Sequence, residues 1–341
     1  MIERMRAEIA QAGGWISFAR YMELALQAYY GTSDRQFGAR GDFVTAPELG
    51  SLFGRTLARQ IQEIEGPILE LGAGTGALAA TLLKELEREY LILETSGALR
   101  ARQAAHLGGK VKFLDALPAR FSGVVIANEV VDAIPVHAVG WRATGVVERG
   151  VSRDLAWVER PASGELLEQA KAIEVPPPYD SEIGLAARAW MRSLAERLEQ
   201  GVILVIDYGF PRHEYYHPQR AMGTIMCHTQ HRAHADPFAN PGGQDITAHV
   251  DFSALAEAAR EAGLEVLGYA TQAQFLVNCG ITDVLGEANV ENALHYAPIA
   301  AEAQKLLSPA EMGELFKVLA VGRGIERPLL GFSRGDRAHT L

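Results

Sequence analysis

Short aliphatic runs recur along the chain, separated by stretches with helical spacing. PILEL at 67–71, YLILE at 90–94, KVKFL at 110–114 and GVVIAN at 123–128 come first, and GVILVID follows at 201–207. Continuous apolar runs are what strands covered on both faces look like; a half-exposed strand alternates instead. ALAATLLKELERE between the first two runs and ALRARQAAHLG between the second and third place apolar residues on one helical face. The alternation predicts an α/β fold, a parallel sheet with crossover helices on both sides. DFSALAEAAREAG reads as an aspartate-capped amphipathic helix closed by glycine, with LEVLGYA after it as a sixth strand. FKVLAVGRG near the end supplies a seventh.

The remaining segments break this rhythm. VHAVGW, GVVERG and DLAWVE are short and turn-punctuated, which predicts a small antiparallel excursion. The organisation expected is a helical cap or lid over 1–63 and the first half of the core over 64–135. A β/helical insertion over 136–200 is followed by the second half of the core over 201–272. A helical cap over 273–314, the last strand over 315–324 and a tail over 325–341 complete the chain. Residues 208–250, rich in His, Pro, Gly and Tyr, read as a long functional loop with one hairpin around 223–228.

Candidate chemistry gathers at the ends of the parallel strands, where open sheets bind ligands. ILELGAGTG follows a strand and opens a helix, so Gly72, Ala73, Gly74 and Gly76 form a loop where backbone approaches a ligand closely. The spacing is G-x-G-x-G, not the dinucleotide G-x-G-x-x-G, and Glu70 stands two residues before the first glycine. A carboxylate there disfavours a pyrophosphate and suits the ammonium and sulfonium of S-adenosylmethionine. Glu94, with Thr95 beside it, ends the second strand and suits ribose hydroxyls, a role that also serves NAD; Asp115 after the third suits an adenine amino group. S-adenosylmethionine, leaving S-adenosylhomocysteine, is the expected cofactor.

Composition narrows the partners. The 341 residues carry a net charge of -10, from 42 acidic and 32 basic side chains, with no basic run interleaved with aromatics. A nucleic-acid substrate is not expected, and an acidic surface suits a cationic partner. Cys227 and Cys279 are the only cysteines, too few for a disulfide framework, and no run of about 18 apolar residues occurs. A cytoplasmic protein with no membrane span, no metal and possible self-association is expected.

Several motifs outside the glycine loop are more specific. ISFARYMELAL, GDFVTAPELGSLFG, ELGAGTG, ANEVVDAIPVH, DYG and DITAHVDF together resemble the MidA-type methyltransferases, a family that includes a mitochondrial protein arginine methyltransferase. The chain departs from that pattern in a shorter AYYGTSDRQFG and in Val130 and Val131 where an aromatic pair is usual. The resemblance implies a class I S-adenosylmethionine-dependent methyltransferase fold, Rossmann-like with seven mostly parallel strands, and a protein acceptor with arginine as its methylated residue. A cofactor-binding assembly protein and a small-molecule methyltransferase are the competing expectations.

Acceptor chemistry is expected beyond strand four. Asn128, Glu129 and Asp132 lie there, and in a helical turn Glu129 and Asp132 at i and i+3 would share one side and clamp a guanidinium. Asn128 also borders the cofactor. Asp207 and Tyr208 end strand five on the same edge, and His228 and His249 offer neutral proton acceptors. Asp42, Phe43, Thr45 and Glu48 are expected to form a lid, a turn capping a helix ELGSLFGRTLARQIQEI, or both.

Overall fold

The computed structural model describes residues 1–32, 44–229, 232–289 and 292–341. Seven strands form the main path of the central sheet: β1 (Ile68–Leu71), β2 (Tyr90–Leu93), β3 (Lys112–Leu114), β4 (Phe121–Asn128), β5 (Leu198–Phe210), β6 (Glu265–Thr271) and β7 (Phe316–Arg323), and a short eighth, Val250–Asp251, pairs in parallel with the end of β5. The order along the main path is β6-β7-β5-β4-β1-β2-β3. The five strands from β5 to β3 run parallel, and β7 lies antiparallel between β5 and β6. This is the expected class I methyltransferase sheet, mixed but mostly parallel.

Alternation along the strands sorts side chains into two cores. Val202, Leu204 and Ile206 of β5 join Ile68, Val124 and Ile126 on one face, beneath the helices Leu52–Ile61, Ala77–Glu85 and Gln272–Asn278. Ile203 and Val205 join Leu69 and Val125 on the other, beneath Leu185–Ala195 and Phe252–Glu261. Asp251 caps the latter helix as expected, accepting from the Ala254 amide at 3.0 Å.

Three elements differ from the sequence reading. The expected helix from 48 to 64 is two helices, Ala46–Leu49 and Leu52–Ile61, interrupted at Gly50. The break admits the Glu302 carboxylate, which accepts from the Leu52 and Phe53 amides at 2.7 and 3.3 Å and so caps the second helix from a distant one. The antiparallel excursion takes in a strand from outside 136–200: Trp15–Ser17 pairs with Gly145–Ser152. Finally, the stretch 208–250 is not one long loop. Met226–Thr229 pairs with Arg232–His234 and Asp245–Thr247, a small sheet whose pairing spans some twenty residues and is invisible to local periodicity.

Leu204 is fully buried in the central strand. Leu204→Ala is expected to cost roughly 2–5 kcal/mol, read as a lower urea midpoint, because the sheet leaves little room for collapse around the vacated volume. Val158→Ala, on the exposed edge of the excursion, should leave the midpoint nearly unmoved.

Candidate active site

β1 ends at Leu71, and the next five residues turn into the helix Ala77–Glu85 with Gly72, Gly74 and Gly76 at φ +63, +53 and +82. Such angles strain any residue with a Cβ. A Cβ on Gly72 would also stand 3.1 Å from the Val130 side chain, so the glycine keeps the two strand-end loops close. Gln103, fully buried on the helix Gly97–Leu107, donates to the Gly74 carbonyl at 2.9 Å and to Glu94 at 3.0 Å. It ties the glycine loop to the acid after β2. The other Glu94 oxygen accepts from the Ser96 amide at 2.8 Å, and the Ser96 hydroxyl donates to the Tyr30 carbonyl at 2.8 Å. Burial pushes the Glu94 carboxyl upward. Glu70, buried and hydrogen-bonded by the Tyr90 hydroxyl at 2.7 Å, is pushed by burial, with Glu94 adding to it, to about 7.

The second group of acids hangs on the loop after β4. Glu129 has φ +54, so the segment is not the helical turn that was expected. The amides that follow Glu129 converge on Asp207. Its carboxylate, fully buried at the end of β5, accepts from the amides of Val130, Val131 and Asp132 at 3.2, 2.9 and 3.2 Å and from that of Tyr208 at 2.9 Å. Asp207 does not reach the cavity wall. Glu129 and Asp132 do. One Glu129 oxygen accepts from the Ala46 amide at 3.3 Å and from the Asn128 side chain at 3.2 Å. Asp132 accepts from the Tyr208 hydroxyl with one oxygen, and its other oxygen is buried without a partner. Burial raises Glu129 to about 8, with the Asp132 charge adding to it, and raises Asp132 to about 6. Burial and these two neighbours push Asp207 upward as well. Within the trio Asp207 is the member whose anion is best provided for, since it meets four N–H donors and no acceptor.

Both groups open onto one cavity of about 700 Å3. Its lining takes in Gly72, Ala73, Gly74, Glu70, Glu94 and Thr95 from the first group and Asn128, Glu129, Asp132, Tyr208, His228 and His249 from the second, with Thr45 and Glu48; the β1–β4 register sets Asn128 beside the glycine loop. Gly76 serves as the helix opener beside it. Asp115 is not brought in. Its carboxylate is exposed and paired with Arg100 at 2.5 Å, because the end of β3 directs it outward from the sheet edge. Thr45 and Glu48 form a reciprocal cap on Ala46–Leu49, and Asp42 and Phe43 lie outside the described residues. His249 is packed between Phe210 and Tyr208, and burial, then the positive Arg220, lower it to about 4. Its ring stays neutral, yet it is a weak base, contrary to the expected proton acceptor.

Sequence reasoning missed several wall residues. Asp245, buried, accepts from the Tyr30 hydroxyl at 3.2 Å and closes the wall opposite the strand ends with Thr247 and Glu23. Asp245 stands in the DITAHVDF motif, but nothing local tells which side chain of that motif faces inward. Gln103 left one trace, an amide on the otherwise apolar side of its helix.

The family model described as "Putative S-adenosyl-L-methionine-dependent methyltransferase" matches residues 52–270. The chain belongs to that family. A Burkholderia thailandensis protein crystallised with S-adenosylhomocysteine is 51% identical, with a TM-score of 0.95, over 100% of this chain and 96% of that one. A Drosophila melanogaster protein named protein arginine methyltransferase NDUFAF7 homolog, mitochondrial, is 29% identical over 98% of this chain and 88% of its own length. The Danio rerio protein of that name is 28% identical over 91% and 84%. The cofactor is S-adenosylmethionine. The cavity suits it on its own evidence: a glycine bend that admits no Cβ without strain, carboxylates after β1 and β2, and a buried Asn128 oxygen without a partner. The cytoplasmic expectation is overturned by the relatives, which are named as mitochondrial proteins. Cysteine usage and the lack of a long apolar run, on which that expectation rests, do not distinguish the cytoplasm from an organelle interior. Among the described residues no helix is long and apolar enough to cross a membrane.

The raised Glu129 carboxyl makes stability pH-dependent. The folded chain holds its proton up to about pH 8 and the unfolded chain only to about 4.5, so this contribution is full below pH 4.5 and is lost as pH rises through 8. Glu129→Gln, which keeps an oxygen for Ala46 and Asn128, removes that loss. Its melting temperature relative to the parent should therefore become more favourable between pH 5 and pH 9, as scanning calorimetry would show; a flat difference would contradict the assignment.

Proposed function

We propose that this methyltransferase acts on a cationic nitrogen side chain of a protein, with arginine as the acceptor. One observation carries the reading. The cavity wall presents Glu70, Glu94, Glu48, Glu129, Asp132 and Asp245, and Glu23 paired with Arg20 from outside the wall, with no lysine or arginine among the described lining residues. Burial favours the neutral forms of Glu70, Glu94 and Glu129 while the cavity is empty; a guanidinium favours their ionised forms and offers a planar fork of donors to paired carboxylates, which a neutral or anionic acceptor does not. The names of the curated relatives point the same way, at identities too low to fix the acceptor.

In this reading Gly72, Ala73 and Gly74 admit the cofactor, Gly76 opens the helix behind them, and Glu70, Glu94, Thr95 and Asn128 supply its polar contacts. When bound, the cofactor supplies a methyl carbon on a sulfonium, open to in-line displacement by nitrogen. Glu129 and Asp132 orient the guanidinium toward it, Tyr208 fixes the Asp132 carboxylate, and the turn at Thr45 and Glu48 fixes Glu129 through the Ala46 amide. The nitrogen–methyl bond forms as the carbon–sulfur bond breaks, and the nitrogen's proton passes to a carboxylate.

Incubating cell extract with tritiated S-adenosylmethionine should place label in protein, recovered as methylarginine after hydrolysis. Glu129→Gln should lower that incorporation roughly 100-fold while leaving calorimetric affinity for S-adenosylhomocysteine unchanged. Label found only in the small-molecule fraction would replace the protein acceptor by a metabolite, and methyllysine would replace arginine. Gly74→Val, which puts a branched side chain on a left-handed bend at the cavity wall, should abolish S-adenosylhomocysteine binding; retained binding would remove the glycine loop from the cofactor site.

A further inference from the structure

Asp207 sits apart from the cavity it governs. It is fully buried, it lines no part of the cavity, and its donors are all main-chain amides: Val130, Val131 and Asp132 on one oxygen, Tyr208 on the other. The three consecutive amides follow Glu129, whose φ of +54 is costly for a residue with a side chain and persists only where its surroundings over-determine it. We propose that Asp207 is a positioning residue for methyl transfer, its buried carboxylate gripping the 130–132 amides so that Glu129 and Asp132 face the acceptor. The proposal rests on the reading of Glu129 and Asp132 as acceptor residues.

The grip requires a carboxylate. Both oxygens are in use from opposite sides, so an asparagine in either orientation would turn an NH2 group against amide donors. The loop is held from the far side as well, where the Ala248 amide donates to the Asp132 carbonyl at 3.0 Å. Lys317, opposite Asp207 in the β7 register, does not neutralise it: its ammonium is bound to the Glu314 and Leu315 carbonyls. The ionisable groups that share the neighbourhood are Glu129 and Asp132 on the loop, Tyr208 on β5, Glu48 on the turn beside Glu129, and His249, which stays neutral. Burial, then the charges of Asp132 and Glu129, push the Asp207 carboxyl upward, so the three titrate as one group.

The test is Asp207→Asn in the full chain, with methyl incorporation followed against pH and S-adenosylhomocysteine affinity measured alongside. The expected result is a fall in turnover of roughly 100-fold from misplacement of the loop, unchanged affinity, and a displaced acid limb of the pH–rate profile, because Glu129 and Asp132 lose their fixed surroundings. An unaltered rate and profile, or a loss of affinity in step with the rate, would overturn the proposal. Hydrogen exchange of the parent protein gives a readout that needs no variant: the amides of 130–132 should be protected far beyond those of an ordinary loop, and free exchange there would also overturn it. If Glu129→Gln and Asp132→Asn leave transfer intact, the acceptor reading fails; if they abolish it while Asp207→Asn does not, only the role of Asp207 fails.

Discussion

Carboxylates are buried at one edge of this sheet without basic partners, and the main chain bears the consequence. A buried anion is tolerable when it is hydrogen-bonded, and here the donors are largely backbone amides. Ser96 gives its amide to Glu94, Ala46 to Glu129, and four residues give theirs to Asp207. Amides supply partial positive charge at fixed positions without a side chain occupying the cavity. The volume stays open, and burial holds several of its carboxyls toward their neutral forms until a positively charged ligand favours ionisation. A lysine or arginine in the wall would have satisfied the same carboxylates while closing the site to cations.

The same bonds couple distant parts of the chain. Gln103 joins the glycine bend to Glu94, Ser96 joins Glu94 to the helix Phe18–Thr32 through the Tyr30 carbonyl, and Tyr30 joins that helix to Asp245. Three segments widely separated in sequence thus meet around one acid. Movement of the helix Phe18–Thr32 would disturb the group proposed to hold the ribose, so Glu94 and Asp245 are mechanically linked through Tyr30.

What the sequence discloses and what it hides follow one physical division. The strands were legible because burial on both faces writes itself as continuous aliphatic runs, and the glycine loop because positive φ values leave little alternative to glycine. The acids at the ends of β1, β2 and β4 followed from the strand ends alone. Asp115 shows the limit: a strand end places a residue at the sheet edge but does not say which way its side chain turns. Asp207 shows another, since a residue on the correct edge proved to act on a neighbouring loop and not on the cavity. Tyr30 and Asp245 are 215 positions apart, and contacts of that span depend on how whole segments pack. Gly50 was read as part of one helix because the carboxylate that occupies the gap comes from residue 302.

The proton of the acceptor nitrogen tests whether these pieces make chemical sense together. His249 at about 4 is too weak a base to take a proton efficiently near neutrality, and Tyr208, raised well above its ordinary 10, keeps its own. That leaves His228 and the carboxyls. An ordinary carboxylate would also be a weak base, but burial has moved Asp132 to about 6 and Glu129 to about 8, near the range where general bases work best. In the proposed reading an entering guanidinium favours their ionised forms, which clamp it. The proton that methylation makes acidic then finds a base whose affinity for it has already been raised by desolvation. In the proposed reading, burial without counter-cations serves two ends with one arrangement: it favours a cation as acceptor and it tunes the group that receives the cation's proton.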